Sequence, residues 1–184
     1  MFDLDTVGLL RTVAGMRARG EMPSGRKIRG APKFFLGVAD VPIDPPAGWA
    51  PHSLAAKADA GAQFVQTQFC MDAGIVRRYL ARLDEHGLLS RIAILIGVVP
   101  LKSARSARWM RTHLPGTIIP DAMIARLEGA ADPATEGRRA CVELMQELAE
   151  ITGVAGAHVM APANADAIPQ VLADAASIRR RRGP

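Results

Sequence analysis

The residues best placed to do chemistry lie in one short run, Phe64-Val65-Gln66-Thr67-Gln68-Phe69. It sets three polar side chains where a strand buried on both faces would carry none, and a buried amide must find hydrogen-bond partners. Side chains alternate along a strand, so Gln66 and Gln68 face the same way. Gln68 falls at the C-terminal end, where sheets of alternating strands and helices hold their ligands. Two readings stay open for it: an amide satisfied by neighbouring backbone, or a hydrogen bond to a planar, amide-rich ligand. Asp40 and Asp44 follow an earlier apolar run on the same ligand-binding side, and among Pro42, Pro45 and Pro46 they read first as turn residues. The histidines His52, His86, His113 and His158 show neither HExxH spacing nor a nearby carboxylate pair, which argues against a metal centre. His158 sits within a strand pattern, as a satisfied core residue or as a side chain facing a pocket. No GxGxxG and no Walker-type loop occurs, so a nucleotide held in the Rossmann manner is disfavoured.

The elements that must position these residues can be read in order. Val7, Leu10, Val13 and Ala14 recur at helical spacing over residues 5–19, with Asp3 and Asp5 suited to the first turn. A polar turn leads to a first strand over 33–38, a helix over 52–60 ending at Gly61, and the second strand over 64–69. Asp72 is placed to cap a helix whose stripe is Val76, Tyr79, Leu80 and Leu83. The continuous apolar run 92–99 predicts a third strand covered on both faces. Helices are expected over 104–113, 120–129 and 134–152, then a strand over 156–160 and a last helix over 164–176. Strand and helix alternate four times, which predicts an α/β fold with four parallel strands. Periodicity alone does not decide between a small open sheet and half of a TIM-type β/α barrel.

Composition narrows the function classes. At 184 residues and 49% hydrophobic content the chain can bury one core, but it is shorter than the roughly 250 residues of a closed eight-stranded barrel. One domain over residues 1–178 is expected, followed by a basic tail over 179–184. The net charge of +5 resides mostly in that tail: without Arg179, Arg180, Arg181 and Arg182, the 23 basic residues fall to 19 against 18 acidic ones. No aromatic residue interleaves with the tail, so nucleic acid has no stacking platform there. Cys70 and Cys141 lie far apart in apolar patterns, which fits reduced thiols of a cytoplasmic protein. Neither a signal-type N-terminus nor a membrane-length apolar run is present.

Four stretches resemble the methylenetetrahydrofolate reductase family: FDLDTVGLLRTV, SGRKIRGAPKFFLGVAD, AKADAGAQFVQTQFCMD and GVAGAHVMAPANAD. The third is the most specific, a lysine and Asp-Ala-Gly-Ala followed by a strand ending in Thr-Gln-Phe. The resemblance covers nearly the whole chain and implies an eight-stranded barrel of which this chain supplies strands five to eight. It further implies FAD, with NAD(P)H as reductant, reducing 5,10-methylenetetrahydrofolate to 5-methyltetrahydrofolate in one-carbon metabolism. By position Lys57 matches the family's flavin-contacting lysine and Gln68 its folate-contacting glutamine. Ser106 stands where the family has a substrate-side glutamine, Met110 where an aromatic residue packs on the ligand, and Asn164 where an arginine is expected. Ser53 and Ala56 replace longer polar residues on the flavin side. The family's general acid and flavin-side aspartate belong to strands one and four, so no catalytic residue is expected in this chain. Half of such a site should lose most of the rate. Four strands of a barrel also leave two unpaired edges and an open inner face. The expected partner is a complementary half-barrel, a second copy or a methyltransferase-type subunit. The alternatives to a complemented reductase are a non-catalytic folate- or subunit-binding module and a truncated reading frame.

Overall fold

In the computed structural model, residues 3–30 and 32–178 are described, and the basic tail expected over 179–184 lies outside them. The chain opens on α1 (Thr6–Arg19), where Asp5 accepts a hydrogen bond from the Gly8 amide at 2.6 Å and Gly20 closes the helix in the left-handed region. Then follow β1 (Gly37–Asp40), α2 (His52–Asp59), β2 (Phe64–Phe69), α3 (Ala73–Glu85) and β3 (Ala93–Val98). After β3 come α4 (Ala104–His113), α5 (Asp121–Glu128), α6 (Pro133–Ala149), β4 (Val154–Val159) and α7 (Ile168–Ala175), the last entered through a 3-10 turn over Ala165–Ala167. Pro169 sits in the first turn of α7, where its missing N–H costs no helical hydrogen bond, so the expected single helix begins as a 3-10 turn.

The four strands run parallel in the order β1-β2-β3-β4. This is the alternation of an α/β fold, and it forms four adjacent staves of a TIM-type barrel. All helical crossovers pack on one face. Val38, Val65, Thr67, Ile94, Ile96 and Val98 point into that layer and are buried. Opposite them lies the buried stripe of α3, Val76, Tyr79, Leu80 and Leu83, together with Cys141, Leu144 and Leu148 of α6. Fully burying one such aliphatic side chain contributes roughly 1.5–3 kcal/mol.

Two expectations are corrected. The first strand begins at Gly37 rather than at residue 33, because pairing to β2 starts where Gly37 meets Phe64. Phe35, apolar in type, is 67% exposed and stacks on Phe64 with ring centroids 5.1 Å apart. The third strand is covered on one face only: Ala93 is exposed and Leu95 half-buried, beside exposed Gln66 of β2 and Ala39 of β1. The inner, concave face of the sheet is therefore open, and each outer strand, β1 and β4, has one edge without a strand partner among the described residues.

Between Gln66 and Phe69 the β2–β3 register shifts, a bulge that lays the β2 backbone over Gly97. Thr67, the buried polar residue of the core, secures it: its Oγ1 accepts from the Gly97 amide at 2.8 Å and donates to the Gln68 carbonyl at 3.0 Å.

Candidate functional site

Just before β1, Leu36 takes the amides of Gln63 and Phe64 on its carbonyl. Residues 36, 38 and 40 thus turn their backbone groups to β2, and Ala39 turns its own to the free edge. Lys57 closes that edge. Its Nζ donates to the Ala39 carbonyl at 2.7 Å and lies 3.7 Å from Asp40 Oδ1, with the two side chains 16% and 18% exposed. The second Asp40 oxygen accepts from the Tyr79 hydroxyl. Burial, with the neighbouring Asp40 charge, pushes that hydroxyl far above the usual tyrosine range. Trp49 packs on the Tyr79 ring with centroids 6.0 Å apart. Asp44 pairs with Arg78 at 2.7 and 3.0 Å, and that hydrogen bond holds its carboxyl below the usual range. Ser53 lies one helical turn before Lys57 on the same face of α2, exposed.

Just past the end of β2, a segment of the α4–α5 connection pairs alongside the chain in parallel, with Ile118 bridged to Cys70. The Ile118 amide donates to the Phe69 carbonyl at 2.9 Å, and the Met71 amide donates to the Ile118 carbonyl at 2.8 Å. Beneath it, Gln68 Nε2 donates to the Pro115 carbonyl at 3.1 Å while its Oε1 accepts from the Phe69 amide at 3.0 Å. Of the two readings open for Gln68, the amide satisfied by neighbouring backbone is the one realised here. His158 lies on the inner face beside Gly97, and its Nδ1 is buried without a hydrogen-bond partner among the described residues.

The C-terminal ends of β3 and β4 frame a cleft of about 490 Å³. Pro100, Met110, Pro162 and Ala163 give it apolar walls, and Ser106 and Asn164 line it too. Trp109, 53% exposed, stacks on His113 with centroids 4.9 Å apart, so one edge of the cleft is a fixed aromatic plate. Lys102 and Arg105 are exposed cations of the lining, and neither forms an ion pair or side-chain hydrogen bond with a described residue. Among the described residues, no carboxylate lines the cleft. Ser106 closes the capping box of α4: its Oγ accepts from the Ser103 amide at 3.1 Å while Ser103 Oγ accepts from the Ser106 amide at 3.1 Å, and the Ser106 hydroxyl donates to the Ser103 carbonyl at 2.8 Å. Asn164 Nδ2 donates to the Pro100 carbonyl at 3.0 Å, tying the two loops together and leaving its Oδ1 as an acceptor. Ala163 adopts φ +53°, a left-handed conformation that costs a non-glycine residue about 1 kcal/mol or more.

The chain thus brings Ser106, Met110 and Asn164 into one cleft, and Lys57 and Ser53 onto one helix face. Gln68, Lys57 and Ser53 do not line the cleft. Sequence reasoning missed Lys102, Arg105 and Trp109. The signal available for two of them was spacing, since Arg105 and Trp109 stand four apart on one face of α4. Among the described residues, no group of three His, Cys, Asp or Glu side chains could hold a metal.

A family model described as methylenetetrahydrofolate reductase matches residues 27–176. Among solved structures, the chain is similar to an uncharacterized protein from Clostridium thermocellum described as binding two copies of 5-methyl-5,6,7,8-tetrahydrofolic acid, with a TM-score of 0.52 and 16% identity. That likeness covers 67% of this chain and 46% of the other, so the chain spans about half the length of that structure. No curated protein matches.

Proposed function

Because this chain belongs to the methylenetetrahydrofolate reductase family, we propose that it is a folate-binding module whose ligand, a reduced folate, occupies the cleft at the C-terminal ends of β3 and β4. The carrying observation is the match of chemistries along that cleft. A folate offers a flat pterin, an aminobenzoyl ring and a carboxylate tail. The cleft offers apolar walls, the Trp109 plate, and the unpaired cations Lys102 and Arg105. Asn164 Oδ1 supplies a hydrogen-bond acceptor between them, while the Ser106 hydroxyl stays engaged in the cap of α4. The Clostridium thermocellum protein, described as binding 5-methyltetrahydrofolate, supports the ligand class. Gln68 joins the site only if its amide leaves the Pro115 carbonyl.

Reduction of 5,10-methylenetetrahydrofolate needs a hydride donor and a positioned acid. The cleft lining holds no carboxylic acid, and the lysine expected to meet a flavin is already engaged. FAD does not fit the residues present, and no catalytic step is assigned to this chain alone. One observation favours a second reading, a reductase completed by a partner with its own FAD and NAD(P)H contacts. The inner face is open, with Phe35 exposed, and β1 and β4 have free edges; a complementary half-barrel, a second copy or a methyltransferase-type subunit would cover them. The free, buried Cys70 and Cys141 suit a cytoplasmic setting, and no described helix is long and apolar enough to cross a membrane.

Isothermal titration of the chain with 5-methyltetrahydrofolate tests the proposal. Saturable binding is expected, weakened about tenfold by Trp109→Ala, the weight of one lost ring contact. Absence of saturable binding, or binding indifferent to Trp109→Ala, rejects the assignment of the cleft.

A further inference from the structure

We propose that Asp40 is a specificity-determining residue: by neutralising Lys57 it keeps the C-terminal ends of β1 and β2 from accepting the diphosphate of a flavin nucleotide. A nucleotide diphosphate carries about two negative charges at neutral pH, so a site for it must present uncompensated cations or amides. Lys57 is the cation that the family resemblance sets aside for it, and this chain has already used it. The ammonium donates to the Ala39 carbonyl at 2.7 Å and faces the Asp40 carboxylate at 3.7 Å. Both side chains are more than four-fifths buried, so salt screens the pair less than it would a surface pair.

Asp40 is not free to turn away. Its other oxygen accepts from the Tyr79 hydroxyl, and Tyr79 is wholly buried and packed against Trp49. The guanidinium after β1 is committed as well, Arg78 to Asp44. What remains on the Lys57 face is the neutral Ser53. A diphosphate arriving here meets an ion pair that is already neutral, its carboxylate fixed in place. Lys57 meanwhile has a structural task that needs no cofactor, since it satisfies the Ala39 carbonyl on the outer edge of β1. The cluster shares no residue with the cleft at β3 and β4, so the inference stands apart from the folate reading.

The test compares the wild-type chain with Asp40→Asn and with Asp40→Asn/Lys57→Met. FAD is titrated by quenching of flavin fluorescence, and ADP by calorimetry as a diphosphate without the flavin ring. The wild type is expected to show no saturable binding of either. Asp40→Asn should bind both saturably, with a Kd on the order of tenfold or more below the wild type's detection limit, as removal of one unit charge a few ångströms away implies. The double variant should lose that gain. Saturable FAD binding by the wild type, an Asp40→Asn variant no better than wild type, or a gain that survives Lys57→Met would each overturn the proposal. Should circular dichroism show Asp40→Asn unfolded, Asp40→Ser carries the same readout. The same samples titrated with 5-methyltetrahydrofolate separate the two claims: folate binding lost in all of them would reject the folate cleft and leave this inference untouched.

Discussion

Replacing Gly97 by alanine probes the bulge that shapes the end of β2. A Cβ at this position would stand 2.7 Å from the Gln68 carbonyl oxygen and closer still to that of Thr67. Both obstacles are main chain, not side chains able to rotate aside. The same backbone is pinned from other directions: the Gly97 amide donates to Thr67 Oγ1 at 2.8 Å, the Cys70 amide to the Gly97 carbonyl at 3.0 Å, and the Ile118 amide to the Phe69 carbonyl at 2.9 Å. Relieving the overlap must open the bulge. Overpacking costs about 1–3 kcal/mol, and a lost buried hydrogen bond adds about 1 kcal/mol, for a total of roughly 2–4 kcal/mol. In a domain of this size each kcal/mol moves the melting midpoint by about 2–4 °C, so Tm should fall by roughly 5–15 °C in thermal unfolding followed by circular dichroism. Gly129→Ala is the control. Its φ is −79° and its nearest obstacle, the Ala125 carbonyl, is 3.7 Å away, so stability should hold or rise by about 0.4–1 kcal/mol. A Gly97→Ala protein within about 0.5 kcal/mol of wild type would refute the bulge as a fixed element of the site.

Two further outcomes follow from the same geometry. Gly37→Ala also creates an overlap, at 2.6 Å from two Phe64 ring carbons, but the obstacle is a side chain on the open inner face; the loss in Tm should be clearly smaller than for Gly97→Ala, and an equal loss would mean that face is closed. Burial raises the Cys70 thiol from 9.0 to about 11 and the Cys141 thiol from 9.0 to about 12, so at pH 8 both should label with a thiol reagent at least about a hundredfold more slowly in the native than in the denatured chain. Because the folded pKa values lie above the unfolded ones, the unfolded state loses its protons first. Their contribution to stability is intact below pH 9 and declines as pH rises from there toward about 11 and 12, on the order of 1 kcal/mol each by pH 10; chemical denaturation at pH 8 and pH 10 reads that sign directly.

The helices were legible because their signals are local. Asp72 caps α3 through the Ile75 amide at 2.9 Å, and the stripe from Val76 to Leu83 that sequence spacing picks out is the stripe that is buried. Strand faces were less legible, since residue type does not distinguish an inner face filled by a partner from one left open. Ala93 and Leu95 are apolar enough to read as core, yet they line the open concave side. The same ambiguity drew β1 too early, because Phe34 and Phe35 are apolar but precede the ladder. Spacing put Gln68 at the strand end, but nothing local announced that Pro115, 47 residues later, would return to take its amide. Ser106, Met110 and Asn164 were singled out separately through the family resemblance, whereas their convergence, with Trp109 as a plate beside them, depends on how two loops fold against each other.

The location of the folate is the claim most open to direct measurement, by amide hydrogen exchange of the chain with and without saturating 5-methyltetrahydrofolate. Slowed exchange is expected over residues 102–110 and 161–165, which frame the cleft, with residues 52–60 around Lys57 unchanged. Protection centred on residues 52–60, with the cleft segments exchanging as before, would contradict the account.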